Sequence, residues 1–68
     1  MIQAGDHVRL LKEEKGTGVP AGEIGFVIDV YQPYEGLGID WLYEVEFRPK
    51  GIKDEISLSV RVENLEKV

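Results

Sequence analysis

Two segments in the second half of the chain alternate between apolar and polar residues, which is the pattern of a strand with one buried face. In the segment 41–47, the apolar face consists of Trp41, Tyr43, Val45 and Phe47, and the other face of Leu42, Glu44 and Glu46. In the segment 54–62, the apolar face consists of Ile56, Leu58, Val60 and Val62, and the other face of Ser57, Ser59 and Arg61. We therefore predict two half-buried antiparallel strands, joined by a turn over 48–51.

A shorter strand is predicted near the start of the chain, over 7–12. Val8 and Leu10 share one face of this segment, and the flanking Gly5 and Gly16 leave too few residues for a stable helix. The segment 13–22 (EEKGTGVPAG) follows and combines polar residues with three glycines and a proline. This composition is typical of a long loop, which we expect to be the most mobile element.

The segment 23–31 is rich in β-branched and aromatic residues and almost continuously apolar, as expected of a central strand. Gly25 suggests a bend or a bulge. The pattern leaves two registers open, because either Val27 or the pair Phe26 and Ile28 can point inwards. The segment 32–40, which follows this predicted strand, contains a proline and two glycines and is predicted to be a turn or hairpin loop.

The final segment, 63–68, is too short for a regular helix. It fits one tight turn followed by a brief last strand that presents Leu65, with Val68 as a further candidate. About five short strands, a long first loop and a terminal tight turn in 68 residues predict one all-β domain over 1–68. We expect a small, strongly bent antiparallel barrel, which is nearly closed and therefore leaves few strand edges exposed.

Composition and charge limit the function classes. The chain has 13 acidic against 8 basic residues, a formal net charge of −5, and 31% charged residues. This charge disfavours a nucleic-acid backbone as partner. The sequence has no cysteine, no long apolar run and no signal-peptide pattern at its start, so we expect a cytoplasmic protein without a membrane span.

Two motifs resemble those of a known superfamily. The pattern Gly5-Asp6-His7-Val8-Arg9-Leu10, followed by Gly22-Glu23-Ile24-Gly25-Phe26-Val27, is similar to the opening of SH3-like barrels, including the KOW type. The segments 43–47 and 62–66 resemble later strands and the terminal turn of the same superfamily. The resemblance implies an SH3-like barrel, of the kind found in small stand-alone bacterial proteins and in accessory subunits of larger complexes, including photosynthetic ones. Such motifs specify fold better than function.

No catalytic or metal-binding constellation emerges from the sequence. His7 is the only histidine, and the only serines, Ser57 and Ser59, lie on the polar face of a predicted strand. The carboxylate pairs lack the spacing of a ligand loop, and the glycine-rich loop matches no phosphate-binding motif. We therefore expect no enzyme, no metal and no cofactor.

A cluster of aromatic and apolar residues borders the 32–40 loop and suggests a contact surface for a protein partner. The predicted partner-binding residues are Tyr31, Tyr34, Leu37 and Trp41 as apolar anchors, with Glu13, Glu14 and Glu35 to attract a basic partner. Trp41 and Tyr43 can equally belong to the core. The sequence thus favours a non-enzymatic interaction module or accessory subunit, with an inhibitor or immunity-type protein as a variant. The alternative is a KOW-like nucleic-acid or ribosome-associated module.

Overall fold

The computed structural model describes residues 2–32 and 41–68. Five strands follow one another: β1 (His7–Leu10), β2 (Ile24–Tyr31), β3 (Leu42–Phe47), β4 (Ile56–Arg61) and β5 (Leu65–Lys67). A 3-10 helix (Val62–Asn64) lies between β4 and β5 and is the only helical element in the described ranges. The predicted all-β class, the long first loop and the terminal tight turn are confirmed.

The strands form a single antiparallel sheet in the order β4-β3-β2-β1-β5. β2 is its centre, because its first half pairs with β1 and most of its length pairs with β3. β4 and β5 are the edges, and no ladder joins them within residues 2–32 and 41–68. By backbone pairing the sheet is therefore open, whereas the sequence suggested a nearly closed barrel.

The register of β2, which the sequence left open, has Val27 pointing inwards. Val27 is fully buried, while the neighbouring Phe26 and Ile28 are 40% and 43% exposed. The ladder to β3 shifts between Val27 and Asp29, where Ile28 has no opposite residue. This extra residue is a β-bulge, and it returns Val30 to the core side, opposite Tyr43.

Gly25 lies in a regular paired position and not at the bend that its presence suggested. It pairs with Val8 on β1 and Phe47 on β3. A Cβ atom at this position would lie 2.6 Å from Cε1 of Phe47 and 2.6 Å from Cγ1 of Val45. The glycine is therefore required by packing, and the bulge follows three residues later.

The core is entirely apolar among the described residues. It comprises Ile2, Val8, Leu10, Val19, Val27, Tyr43, Val45, Phe47, Val60 and Leu65. Two of these come from outside the predicted strands, since Ile2 precedes β1 and Val19 belongs to the long first loop. Val19 has no exposed surface, so the middle of this loop is anchored in the core.

Val62 was predicted to lie on the core face of the fourth strand, but in the structure it lies at the surface. β4 ends at Arg61, and Val62 begins the 3-10 helix with 36% of its surface exposed. A helical turn no longer places alternate residues on one face, so the period of two that ran from Ile56 to Val60 stops there.

Candidate functional site: a groove beside the first loop

A groove of about 500 Å³ opens between the start of the first loop, the 3-10 helix and the outer face of β3 and β4. Its lining residues are Leu11, Lys12, Glu13, Glu14, Leu42, Ser59, Arg61, Glu63 and Asn64. Leu11 and Leu42 supply its apolar side chains, and most of the remaining lining residues are charged. The groove is thus amphipathic, with an apolar part bordered by charges.

The strand register brings the outer-face residues together. Leu42 pairs with Tyr31 on one side and with Arg61 on the other, and directly opposed residues lie on the same face of a sheet. This face is opposite the buried Tyr43. Tyr31, with 46% of its surface exposed, therefore adjoins the groove through Leu42.

Asn64 holds the wall of the groove in place. Its Nδ2 donates to the backbone oxygen of Lys12 and to Oε1 of Glu14, both at 3.0 Å, and its Oδ1 accepts from the backbone N–H of Lys12 at 2.8 Å. Its own backbone oxygen accepts from the N–H of Leu11 at 2.9 Å. These bonds tie the 3-10 helix to the start of the first loop.

The loop beyond Glu14 is held by a second set of hydrogen bonds. The backbone oxygen of Glu14 accepts from the hydroxyl of Thr17 at 2.7 Å and from its N–H at 3.2 Å. The same hydroxyl accepts from the N–H of Val19 at 3.3 Å. Gly22, at φ +89°, closes the loop with its N–H 2.7 Å from the oxygen of Leu10, a conformation that favours glycine.

The electrostatic character of the groove is acidic on balance. Glu13, Glu14 and Glu63 line it against Lys12 and Arg61. A further carboxylate lies alongside, because Oε1 of Glu44 accepts a hydrogen bond of 2.7 Å from the hydroxyl of Ser59. The excess of carboxylates here agrees in sign with the net charge of −5.

The structure places four of the seven residues predicted from the sequence, in two different settings. Glu13 and Glu14 line the groove, and Tyr31 adjoins it. Trp41 is half-buried and packs against the core, which was the other interpretation that the sequence allowed. The remaining three, Tyr34, Glu35 and Leu37, lie outside the described residues.

Sequence reasoning missed the apolar part of the groove. Leu42 is the one apolar residue on the otherwise acidic face of β3, and such an exception could have marked it as a contact residue. Leu11 gave no comparable signal, because its neighbours Val8 and Leu10 already accounted for the apolar pattern of that segment. Asn64 could not be identified, since its partners are about 50 residues away along the chain.

A second exposed apolar feature, which we call the β2 stripe, consists of Ile24, Phe26 and Ile28. Each of the three is between 40% and 43% exposed. The ring of His7 on β1 meets that of Phe26 edge-on, with 5.2 Å between ring centroids. The only histidine therefore packs against an aromatic ring.

Within 2–32 and 41–68 there is no group of three or more histidine, aspartate or glutamate side chains arranged to hold a metal ion. In this part of the chain, no helix has the length and apolar character needed to cross a membrane. Comparison with protein-family models, with curated proteins and with solved structures finds no match.

Proposed function

We propose that this chain is a non-enzymatic interaction module that binds a basic, partly apolar segment of a larger protein in the groove. The observation that carries the proposal is the groove itself, where Leu11 and Leu42 lie among three carboxylates, Glu13, Glu14 and Glu63. An apolar side chain of the partner would cover the leucines, and lysine or arginine residues beside it would meet the carboxylates.

The hydrogen bonds of Asn64 support this proposal because they fix the shape of the groove before a partner arrives. A preformed surface loses less conformational entropy on binding than one that must be ordered. The resemblance to SH3-like proteins points the same way, since proline-binding members of that superfamily hold extended peptides in a surface groove. Here the described lining is leucine-based and not aromatic, so an aliphatic anchor fits better than a polyproline ligand.

The nucleic-acid alternative is less favoured by the charges. Phosphate recognition depends on clustered lysine and arginine residues that release counterions. Lys12 and Arg61 are the only basic residues of the groove lining, and Glu13, Glu14 and Glu63 lie among them. A polyanion would be repelled by this surface, whereas a cationic peptide segment would be attracted.

The proposal can be tested with two libraries of short peptides that contain leucine, one with lysine and arginine at the charged positions and one with glutamate there. We expect the basic library to yield binders whose affinity falls with salt, and the acidic library to yield none. Backbone amide shifts in NMR spectra should then change at Leu11, Glu14, Leu42 and Asn64. Equal binding of both libraries, or shifts confined to another surface, would contradict the proposal.

Matched variants separate the charges of the groove from the overall charge. Glu13→Gln with Glu14→Gln removes two carboxylates from the groove, and glutamine at position 14 can still accept from Asn64. We expect at least about a tenfold loss of affinity for a selected basic peptide. Asp54→Asn with Glu66→Gln removes two carboxylates that do not line the groove and should leave the affinity within about twofold.

A further inference from the structure

β4 is an edge strand with few of the features that usually prevent edge strands from pairing with other chains, and its one charged residue, Arg61, stands at its end. Such features include proline, lysine, bulges and very short length. The six residues of β4, Ile56–Arg61, contain neither proline nor lysine, and their ladder to β3 runs without a shift. The other edge, β5, has only three residues.

The outer side of β4 is open in the described part of the chain. No backbone hydrogen bond outside the ladder to β3 involves residues 56–61. On the core face, Ile56 and Leu58 are only half-buried, whereas Val60 is fully buried. A strand added beside β4 would bond the free backbone groups and cover these two side chains.

Residues 55–61 are similar or complementary in type at equal distances on either side of Leu58. In an antiparallel pair of two β4 strands centred on Leu58, Ile56 lies opposite Val60 and Ser57 opposite Ser59 of the other copy. The same register continues to Glu55, which lies opposite Arg61. Each pair matches in chemistry, and the two core faces fall on the same side of the joined sheet.

The charges at the two ends select this register. A pair centred on Ser57 would place Lys53 of one copy opposite Arg61 of the other, which is a like-charge pair. A pair centred on Ser59 would no longer place Glu55 opposite Arg61. Arg61 has no ion pair among the described residues, and Glu55 bonds to Arg48 of its own chain while keeping 45% of its side chain exposed. Only the register centred on Leu58 gives two opposite-charge pairs, related by the twofold axis.

We propose that β4 pairs antiparallel with β4 of a second copy of this chain, across a twofold axis at Leu58. The two sheets then join into one of ten strands. A six-residue pairing buries little surface compared with a permanent dimer interface, so the dimer is weak and forms at high protein concentration. The proposal does not rest on the proposed function, because neither the carboxylates nor the leucines of the groove take part, although Ser59 and Arg61 belong both to β4 and to the groove lining.

The test is sedimentation equilibrium of the intact chain from about 10 µM to about 1 mM, in about 0.15 M salt to screen the net charge. We expect a reversible monomer–dimer equilibrium within this range. If the chain stays monomeric throughout this range, the proposal is wrong, and the β4 edge would instead be available to pair with an extended segment of a different protein.

Charge-swap variants determine the register. Glu55→Arg and Arg61→Glu each place two like-charged pairs in the dimer and should weaken self-association at least about tenfold. An equimolar mixture of the two variants restores both opposite-charge pairs, so a heterodimer should form with about the wild-type affinity. Circular dichroism checks that each variant is folded. Variants that dimerise like the wild type, or a mixture that stays monomeric, would refute this pairing.

Discussion

Gly25 shows how a single missing side chain makes room for the core. Its position in the central strand brings the hydrogen atom of the glycine against Val45 and Phe47, where a methyl group would approach carbon atoms to 2.6 Å. Real Cβ atoms do not come this close, so the neighbours would have to move. The residue therefore serves packing, although its backbone is that of an ordinary strand.

We predict that Gly25→Ala destabilises the protein by about 1–3 kcal/mol, as is usual when a well-packed core is overfilled. Urea denaturation followed by tryptophan fluorescence measures the loss. In a Phe47→Leu background, where the ring is gone, the same substitution should cost less. An equal cost in both backgrounds would mean that the strain does not arise at Phe47.

The fold alters the ionisation of Asp6. Its Oδ2 accepts a 2.8 Å hydrogen bond from the backbone N–H of Gln3 and lies 3.5 Å from Nζ of Lys67. The hydrogen bond from Gln3, and secondly the charge of Lys67, hold the pKa of Asp6 below its ordinary value of 3.8. The ionised carboxylate thus links the N-terminal segment to β5.

Because the pKa of Asp6 is lower in the folded chain, its ionised form stabilises the fold above pH 3.8, and this contribution disappears as the pH falls through the lowered value. We predict that Asp6→Ala melts at a lower temperature than the wild type at neutral pH, and that the difference shrinks in acid. Melting curves from about pH 2 to about pH 7 test this. A difference that is constant over the whole range would contradict it.

At the scale of elements, β2 has two faces that are both rich in apolar residues but differ in burial. The bulge at Ile28 lets Val27 and Val30 reach the core side, while Phe26 and Ile28 remain on the outer face. Apolar character alone could not separate the faces of this strand. The alternation in β3 could, because glutamates mark its outer face.

The two phenylalanines of the chain lie on opposite faces of neighbouring strands and offer a matched comparison. We predict that Phe47→Ala, at a fully buried position, costs about 3–5 kcal/mol. Phe26→Ala, at a position 40% exposed, should cost about 1 kcal/mol or less. Thermal unfolding of both variants tests the assignment. Similar losses would show that the β2 stripe is part of the core.

The first loop is a second element whose structure differs from what its composition predicts. Glycine, proline and charge indicate a mobile loop over 13–22, but Val19 is buried and Thr17 and Asn64 bond to the loop backbone. A single apolar side chain and a few hydrogen bonds therefore hold this segment against the sheet. This attachment gives the groove a defined wall.

At the scale of the whole molecule, the net charge of −5 governs long-range interactions. We predict no measurable binding of mixed RNA or DNA at physiological salt, because non-specific affinity requires clustered lysine and arginine residues. Fluorescence polarisation with a labelled mixed-sequence oligonucleotide tests this. Micromolar binding that weakens steeply with salt would contradict the prediction and favour the KOW-like alternative.

The sequence by itself determined the number and approximate bounds of the strands, the all-β class and most of the core. This was possible because β3 and β4 alternate with a period of two, and glycine and proline mark the turns between strands. Local charge alone also predicts Glu13 and Glu14 as candidate contact residues, and both line the groove. These features depend on neighbours along the chain, which a sequence displays directly.

Only the tertiary structure decided the register of β2, the role of Gly25 and the composition of the groove. Each depends on residues distant in sequence, such as Asn64 against Lys12 and Gly25 against Phe47. The open edge at β4 likewise follows from the strand order. A linear pattern reports which side chains share a face of their own strand, whereas packing decides which strands meet and therefore which surfaces remain for a partner.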